Sequence, residues 1–141
     1  DTTKNGVIYK DHPLVSKVRL LMQAYLTKDV DEIKSHYTAS TAFYDVMNSG
    51  LNEYKTLDEE FADFNSYMEV FDLLEINESG YPDVLDYEGD GSVVISWWNM
   101  KFKNKKSGNT TTIKQHIQHA FNEKGEISRE DYYFNPAQLP D

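Results

Sequence analysis

The sequence predicts a single α+β domain, residues 1–141, in which a cone-shaped, curved antiparallel sheet wraps around three helices and encloses a pocket. Apolar residues recur at helical spacing in the first half of the chain, whereas β-branched and aromatic segments separated by turns fill the second half. Helices followed by hairpin-joined strands are typical of α+β proteins with an antiparallel sheet. The 141 residues contain no internal repeat or linker, so we expect one domain with one core.

The N-terminal part of the chain predicts two helices. Residues 1–12 are polar and lack periodicity, so we expect them to form an N-terminal arm. Pro13 suits the first position of a helix, and the segment after it carries one apolar stripe, formed by Val15, Val18, Leu21, Met22, Tyr25 and Leu26. The segment Asp29–Glu32 resembles a capping box and predicts a second, shorter helix with Ile33 and Tyr37 on its inner face.

A strand and a third helix are predicted next. Thr41–Val46 is rich in β-branched and aromatic residues, which favours a short strand. Thr56–Glu59 is a second capping box and marks the start of a helix. Apolar residues at spacings of three and four give this helix one buried face, formed by Leu57, Phe61, Phe64, Met68 and Phe71.

Turns containing glycine and asparagine divide the rest of the chain into strands. The predicted strands are Leu73–Asn77, Val84–Tyr87, Val93–Lys103, Thr110–Phe121 and Glu126–Phe134. From these patterns we expect four buried residues, Leu21, Phe61, Phe64 and Ile117, and two exposed residues at a hairpin tip, Lys105 and Lys106.

Composition argues against several classes of partner. The formal net charge of −10 repels phosphate backbones, so we expect no nucleic-acid partner. No apolar run approaches the ~20 residues needed to cross a bilayer, so we expect no membrane partner. Cysteine is absent, which excludes disulfides and thiolate chemistry. The chain begins at Asp1 rather than at Met, as expected of an exported protein after removal of a signal peptide and equally of a trimmed sequence.

The sequence predicts neither a cofactor nor a metal site. It has no glycine-rich phosphate loop, no nucleophile elbow and no zinc-binding helix motif. His116 and His119 are close in sequence, but they lie three residues apart on a predicted strand. Side chains alternate along a strand, so these two histidines point to opposite faces and do not form a metal pair.

Asp45 is the most suggestive single residue for acid–base chemistry. It ends an aromatic strand and shares a face with Thr41 and Phe43. A carboxylate at the edge of an aromatic cavity loses solvation, which favours a role as general base. Alternatively, the Asp45 carboxylate caps the following loop by accepting hydrogen bonds from neighbouring groups. The pattern leaves both interpretations open.

The element order and two short strings resemble the nuclear transport factor two-like superfamily, and within it the SnoaL-like and ketosteroid isomerase-like branch. One string is DVDEIKSHYTASTAFYD, which ends at Asp45, and the other is FNEKGEISREDYYF, residues 121–134. The second string is similar to a turn of this branch that leads into a strand ending in aromatic residues. The resemblance implies a bent sheet that closes over the helices, with a cavity that opens between the first helices and the sheet.

The resemblance also implies roles for single residues. Asp45 stands where isomerases and cyclases of this branch keep their base. The two hydrogen-bond donors that an isomerase needs for its oxyanion are missing, since Leu21 and Ile117 occupy their positions, so steroid isomerisation is not expected. Counting along the strand turns His119 inward and makes it the implied catalytic partner of Asp45. A tryptophan-rich strand next to His116, a feature of many relatives, favours His116 instead.

A set of residues is expected to surround the ligand. Its members are Tyr25, Phe43, Phe64, Trp97, His116, Ile117, Glu130, Tyr132 and Phe134. Trp97 and Trp98 point to opposite faces of their strand. Which of these tryptophans, and which of the two histidines, faces the cavity stays open.

Three functions compete. The first is binding of a small hydrophobic or aromatic ligand in the cone cavity, supported by ten Tyr, seven Phe and two Trp and by an incomplete catalytic set. The second is a lyase, cyclase or isomerase type of enzyme with Asp45 as general base. The third is a protein-interaction module that forms a homodimer through the convex face of the sheet, where one Trp, His116 and Gln118 are expected.

Overall fold

The computed structural model describes residues 6–9 and 11–141. In chain order, the elements are β1 (Gly6–Tyr9), α1 (Pro13–Thr27), α2 (Val30–Ser35), β2 (Tyr37–Asp45), α3 (Leu57–Val70), β3 (Phe71–Glu78), β4 (Asp83–Tyr87), β5 (Gly91–Asn104), β6 (Thr110–Phe121) and β7 (Ile127–Tyr133), followed by a 3-10 turn at Pro136–Gln138. All predicted helices and strands are present. The sequence does not predict β1, which takes up residues 6–9 of the expected N-terminal arm; residues 1–5 and 10 of that arm lie outside the described residues.

Side-chain caps mark where all three helices begin, and at α1 the His12 ring accepts a hydrogen bond from the Leu14 N–H. At α3 the capping box is complete: the Thr56 hydroxyl accepts a hydrogen bond from the Glu59 N–H, and the Glu59 carboxylate accepts one from the Thr56 N–H. At α2 only half of the predicted box forms, because Asp29 accepts a hydrogen bond from the Glu32 N–H without a return bond from the Glu32 side chain. In the part of the chain that the structure describes, no helix is long and apolar enough to cross a membrane.

The strands form one open, curved sheet in the order β1-β4-β5-β6-β7-β2, with β3 also paired to β5. Strand β5 pairs with three other strands. Strand β6 pairs with one edge of β5. The other edge of β5 pairs with β4 through residues 91–95 and with β3 through residues 98–104. Among the described strands, every pair is antiparallel except β2 with β7, which is parallel. The sequence pattern does not reveal that parallel edge, because most of the chain separates the two strands and no hairpin joins them.

The helices cover one face of the curved sheet. Helix α1 packs against β3, β4 and β5, and α3 packs against β2 and β3. The predicted burial of Leu21, Phe61 and Ile117 is confirmed, as is the exposure of the lysines at the β5–β6 tip. Phe64 is only half-buried, because it lines the cavity described below.

Two residues that the sequence places on helices belong to strands. Tyr37 is the first residue of β2, and Phe71 is the first residue of β3. Tyr37 is buried and Phe71 packs against the buried core, so both keep the inward direction that their spacing predicts. An aromatic residue just beyond the end of a helix can satisfy the helical spacing and still be the first residue of a strand, which explains the error.

Candidate functional site

A cavity of about 510 Å³ lies between α1, α3 and the sheet. Most of its wall is apolar or aromatic and is formed by Met22, Tyr25, Phe64, Tyr67, Met68, Val70, Phe71, Leu73, Met100, Phe102, Ile117, Tyr132 and Phe134. Polar side chains enter the wall at Asp45, Lys55, Glu60, Asp63, Ser66, Gln115 and Glu130. A concave apolar surface with a few polar groups is typical of a site for a small organic molecule.

A chain of buried hydrogen bonds begins at the cavity wall and extends into the core. It joins Tyr25 and Glu130, which line the cavity, with Tyr37 and His119. The Tyr37 hydroxyl donates to Oε1 of Glu130 at 2.6 Å, and Nε2 of His119 lies 2.8 Å from the same oxygen. The Tyr25 hydroxyl lies 3.2 Å from the Tyr37 hydroxyl. Burial first, and the Glu130 carboxylate second, raise the pKa of both tyrosines well above the ordinary value. Both phenols therefore stay protonated and act as donors.

A second polar cluster joins α3 to β7. The Tyr132 hydroxyl donates to Oε2 of Glu60 at 2.8 Å and accepts a hydrogen bond from Nζ of Lys55 at 3.1 Å. Burial, and then the nearby Glu130 carboxylate, raise the pKa of Glu60 to about 7 even though Tyr132 and Lys55 act in the opposite direction. Glu60 can therefore take up and release a proton near neutral pH, as a general acid or base must.

Three carboxylates lie close to the Lys55 ammonium. Its Nζ lies 2.6 Å from Oδ2 of Asp63 and 3.6 Å from both Asp45 and Glu60. Burial alone would lower the pKa of Lys55, but the Asp63 hydrogen bond and the charges of Glu60 and Asp45 raise it. The ammonium therefore remains charged, with carboxylate oxygens of three residues at 2.6–3.6 Å.

Asp45 combines the two features that the sequence left as alternatives. It lines the cavity at the end of β2, as a base would. Its carboxylate is also engaged: Oδ1 accepts a hydrogen bond from the Asn48 side-chain amide at 2.8 Å, and Oδ2 lies 3.6 Å from Lys55. The backbone carbonyl of Asp45 accepts a hydrogen bond from the Ser49 N–H at 2.9 Å, so the residue also closes the turn that follows β2.

Seven of the residues expected at the site line the cavity, namely Tyr25, Asp45, Phe64, Ile117, Glu130, Tyr132 and Phe134. Phe43 and His119 point inward but are fully buried in the core and do not line the cavity. The hydrogen-bond partner of the His119 side chain among the described residues is Glu130, not Asp45.

The expectation that Trp97 and His116 contact a ligand in the cavity is wrong. Trp97 is 39% exposed, whereas its neighbour Trp98 is 3% exposed and packs inside. His116 lies on the outer face with Trp97, where the two rings stack with centroids 4.4 Å apart. Side chains alternate along β5 and β6, so inward placement of Trp98 and His119 turns Trp97 and His116 outward.

Sequence reasoning missed Glu60, Lys55 and Asp63. Glu60 lies in an acidic first turn, where carboxylates are commonly explained by the helix dipole. The sequence feature that indicates a cavity-facing Glu60 is its position four residues before Phe64, because that spacing places both side chains on one face of α3. Among the described residues, no group of three or more His, Asp or Glu side chains is arranged to hold a metal ion.

Comparison with known proteins gives no match by sequence: no family model and no curated protein matches the chain. Solved structures do match. An NTF2-like protein of unknown function from Burkholderia pseudomallei superposes with a TM-score of 0.64 at 16% identity, over 90% of this chain and 94% of that one. A proposed polyketide cyclase from Xanthomonas campestris gives a TM-score of 0.67 at 14% identity, over 94% and 100% of the two chains.

A third similar structure holds a ligand. This protein from Catenulispora acidiphila has a ketosteroid isomerase-like fold, was solved in complex with trimethylamine, and gives a TM-score of 0.67 at 10% identity over 92% and 91% of the two chains. Likeness at such low identity shows the fold and leaves the activity open. The predicted nuclear transport factor two-like fold, shared by SnoaL-like and ketosteroid isomerase-like proteins, is confirmed.

Proposed function

We propose that this chain, which has the nuclear transport factor two-like fold, binds a small hydrophobic or aromatic molecule in its cavity. The observation that carries the proposal is the cavity itself: about 510 Å³, walled mostly by aromatic and aliphatic side chains. That volume lies within the roughly 300–1,000 Å³ of known small-molecule sites. The trimethylamine bound by a protein of similar fold further supports occupation by a small organic molecule.

Filling the cavity is expected to block binding. Met68 lines the cavity from α3, so Met68→Trp should occupy part of the ligand volume. The neutral fluorescent probe N-phenyl-1-naphthylamine is expected to bind the unmodified protein saturably, and Met68→Trp should weaken that binding at least ~10-fold, because each 1.4 kcal/mol of lost contact is a factor of ten. Fluorescence titration measures the dissociation constant.

The matched control places the same substitution outside the cavity. Met47 lies in the loop after β2, is 56% exposed and does not line the cavity, so Met47→Trp should leave probe binding within about twofold. Equal binding by the two variants would show that the probe sits elsewhere and would contradict the proposal.

Acid–base catalysis in the same cavity is the second candidate function. The observation that favours it is the Glu60 carboxyl, which lines the cavity and has a pKa of about 7. An effective general base has a pKa near the working pH, and Glu60 meets this condition. The Asp45 carboxylate also lines the cavity and accepts a hydrogen bond from Asn48.

We also propose a homodimer through the convex face of the sheet. The stacked rings of Trp97 and His116 continue to Tyr133, whose ring centroid lies 5.3 Å from that of His116. Trp97 and Tyr133 are 39% and 36% exposed. Aromatic surface of this kind, arranged contiguously on the outside of a sheet, is typical of an association site.

Sedimentation velocity tests the dimer. The unmodified protein is expected to sediment as a dimer at micromolar concentration, and Trp97→Lys should shift it to monomer by placing a charge in the contact. Leu51→Lys, a change at a 93% exposed loop residue, serves as the control and should leave the dimer intact. A monomer for the unmodified protein at this concentration would refute the dimer.

A further inference from the structure

The hydrogen bonds in the buried wall of the cavity all run in one direction. Because Tyr37 donates its only hydroxyl hydrogen to Glu130, the contact between the two tyrosines requires Tyr25 to donate to Tyr37. Tyr25 therefore has only lone pairs left for a ligand. The Glu130 side chain is 7% exposed, and its Oε1 accepts from Tyr37 and His119 while Oε2 has no hydrogen-bond partner among the described residues. Tyr25 and the Glu130 carboxylate can therefore accept hydrogen bonds from a ligand but cannot donate them.

The second polar cluster has the same bias at pH values above about 7, where the Glu60 carboxyl is ionised. The Tyr132 hydroxyl gives its hydrogen to Oε2 of Glu60 and is not available as a donor. Oε1 of Glu60 has no hydrogen-bond partner in the described part of the chain. The Lys55 ammonium is already surrounded by carboxylates at 2.6–3.6 Å, so it is poorly placed to receive an anionic ligand.

The charge of the wall points the same way. Four carboxyl groups line the cavity, from Asp45, Glu60, Asp63 and Glu130, against the single ammonium of Lys55. An anionic ligand would meet an excess of negative charge in a partly desolvated space, where charge repulsion is stronger than in water. A cationic ligand would meet attraction from the same groups.

Aromatic rings line the same cavity as the two glutamates. Tyr25 and Phe64 meet edge to face with centroids 5.3 Å apart, and both line the cavity together with Tyr67, Tyr132 and Phe134. The faces of aromatic rings attract organic cations, and cages of such rings bind alkylated ammonium groups. A carboxylate in the same space adds charge attraction. The cavity thus combines both features.

We propose that the ligand of this cavity is a hydrophobic amine in its protonated form, whose ammonium group donates hydrogen bonds to Oε2 of Glu130 and to Tyr25 while its apolar part lies among the rings. This inference rests on the proposed ligand-binding function and adds the charge and the hydrogen-bonding character of the ligand.

Three probes of nearly equal size test the inference by calorimetric titration: phenethylammonium, the neutral 2-phenylethanol and the anionic phenylacetate. We expect phenethylammonium to bind at least ~10-fold more tightly than 2-phenylethanol and phenylacetate to bind most weakly. Glu130→Gln keeps an oxygen that can accept from Tyr37 and His119, and it should weaken the cation at least ~10-fold while changing the alcohol less than about twofold. Circular dichroism melting establishes that the variant is folded.

Two further variants make the result decisive. Glu60→Gln, in the same cavity, should also weaken binding of phenethylammonium and leave binding of 2-phenylethanol unchanged. Glu69→Gln removes a carboxylate from the exposed side of the same helix, outside the cavity, and should change the binding of neither probe. Binding of the alcohol or the acid as tight as that of the cation would overturn the inference and leave the proposed function standing. Absence of binding by all three probes, with N-phenyl-1-naphthylamine also unbound, would overturn both.

Discussion

Replacing Glu60 with glutamine is expected to stabilise the protein at pH 8 and to leave its stability at pH 4 nearly unchanged. In the folded protein, burial and the Glu130 carboxylate raise the pKa of Glu60 to about 7, whereas an unfolded glutamate has a pKa of ~4.3. The neutral carboxyl is favoured in the folded state, so its contribution to stability is fully present below pH ~4.3. That contribution is lost as the pH rises through 7, where the buried group must ionise.

The size of the effect follows from the separation of the two pKa values. One pKa unit corresponds to ~1.4 kcal/mol, so the loss between pH 4 and pH 8 is up to about 3 kcal/mol for this largely buried group. Glutamine cannot ionise and keeps an oxygen that accepts from Tyr132, so it should remove most of this loss.

Urea unfolding of both proteins at several pH values between 4 and 8 measures the difference in unfolding free energy. The difference should grow with pH and level off above pH 8. Glu69→Gln on the same helix is the control and should change stability by less than ~0.5 kcal/mol at either end of the range. A Glu60→Gln effect that does not vary with pH would show that Glu60 ionises at its ordinary pKa, and it would also remove the basis for acid–base catalysis by this residue.

Replacing Phe43 with alanine is expected to destabilise the fold by about 3–5 kcal/mol. Phe43 is fully buried in β2, its ring lies 4.9 Å from that of Tyr37, and it is not part of the cavity wall. Truncation would leave a void enclosed by core side chains that cannot collapse. The backbone hydrogen bonds that Phe43 exchanges with Lys55 would remain, so the loss measures packing rather than hydrogen bonding.

Phe64→Ala is the informative comparison for Phe43→Ala. Phe64 is half-buried and already borders the cavity, so truncation enlarges existing space and should cost only about 1–2 kcal/mol. Chemical unfolding of the two variants under the same conditions gives both values. A loss at Phe64 as large as that at Phe43 would show that the cavity is closed by collapse around this ring.

The sequence by itself determined the elements and their inner faces. Helical spacing from Val15 to Leu26, the capping box at Thr56–Glu59 and strand periodicity in Thr110–Phe121 each depend on residues near one another in the chain. Strand alternation likewise determined that Trp97 and Trp98, and His116 and His119, would face opposite sides. Alternation sets relative direction only, so it could not decide which member of each pair faces inward.

Only the tertiary structure revealed that the pKa of Glu60 is raised to about 7. Asp45 and Glu60 both line the cavity, and each lies 3.6 Å from Lys55. Asp45 also accepts a hydrogen bond from Asn48, whereas burial and the Glu130 carboxylate raise the pKa of Glu60. The parallel pairing of β2 with β7 brings Asp45 opposite Tyr132 and Phe43 opposite Glu130, across most of the chain length. Electrostatic coupling and burial depend on positions in space and not on separation in sequence. The pattern alone could therefore identify the carboxylates but not predict which of them has a shifted pKa.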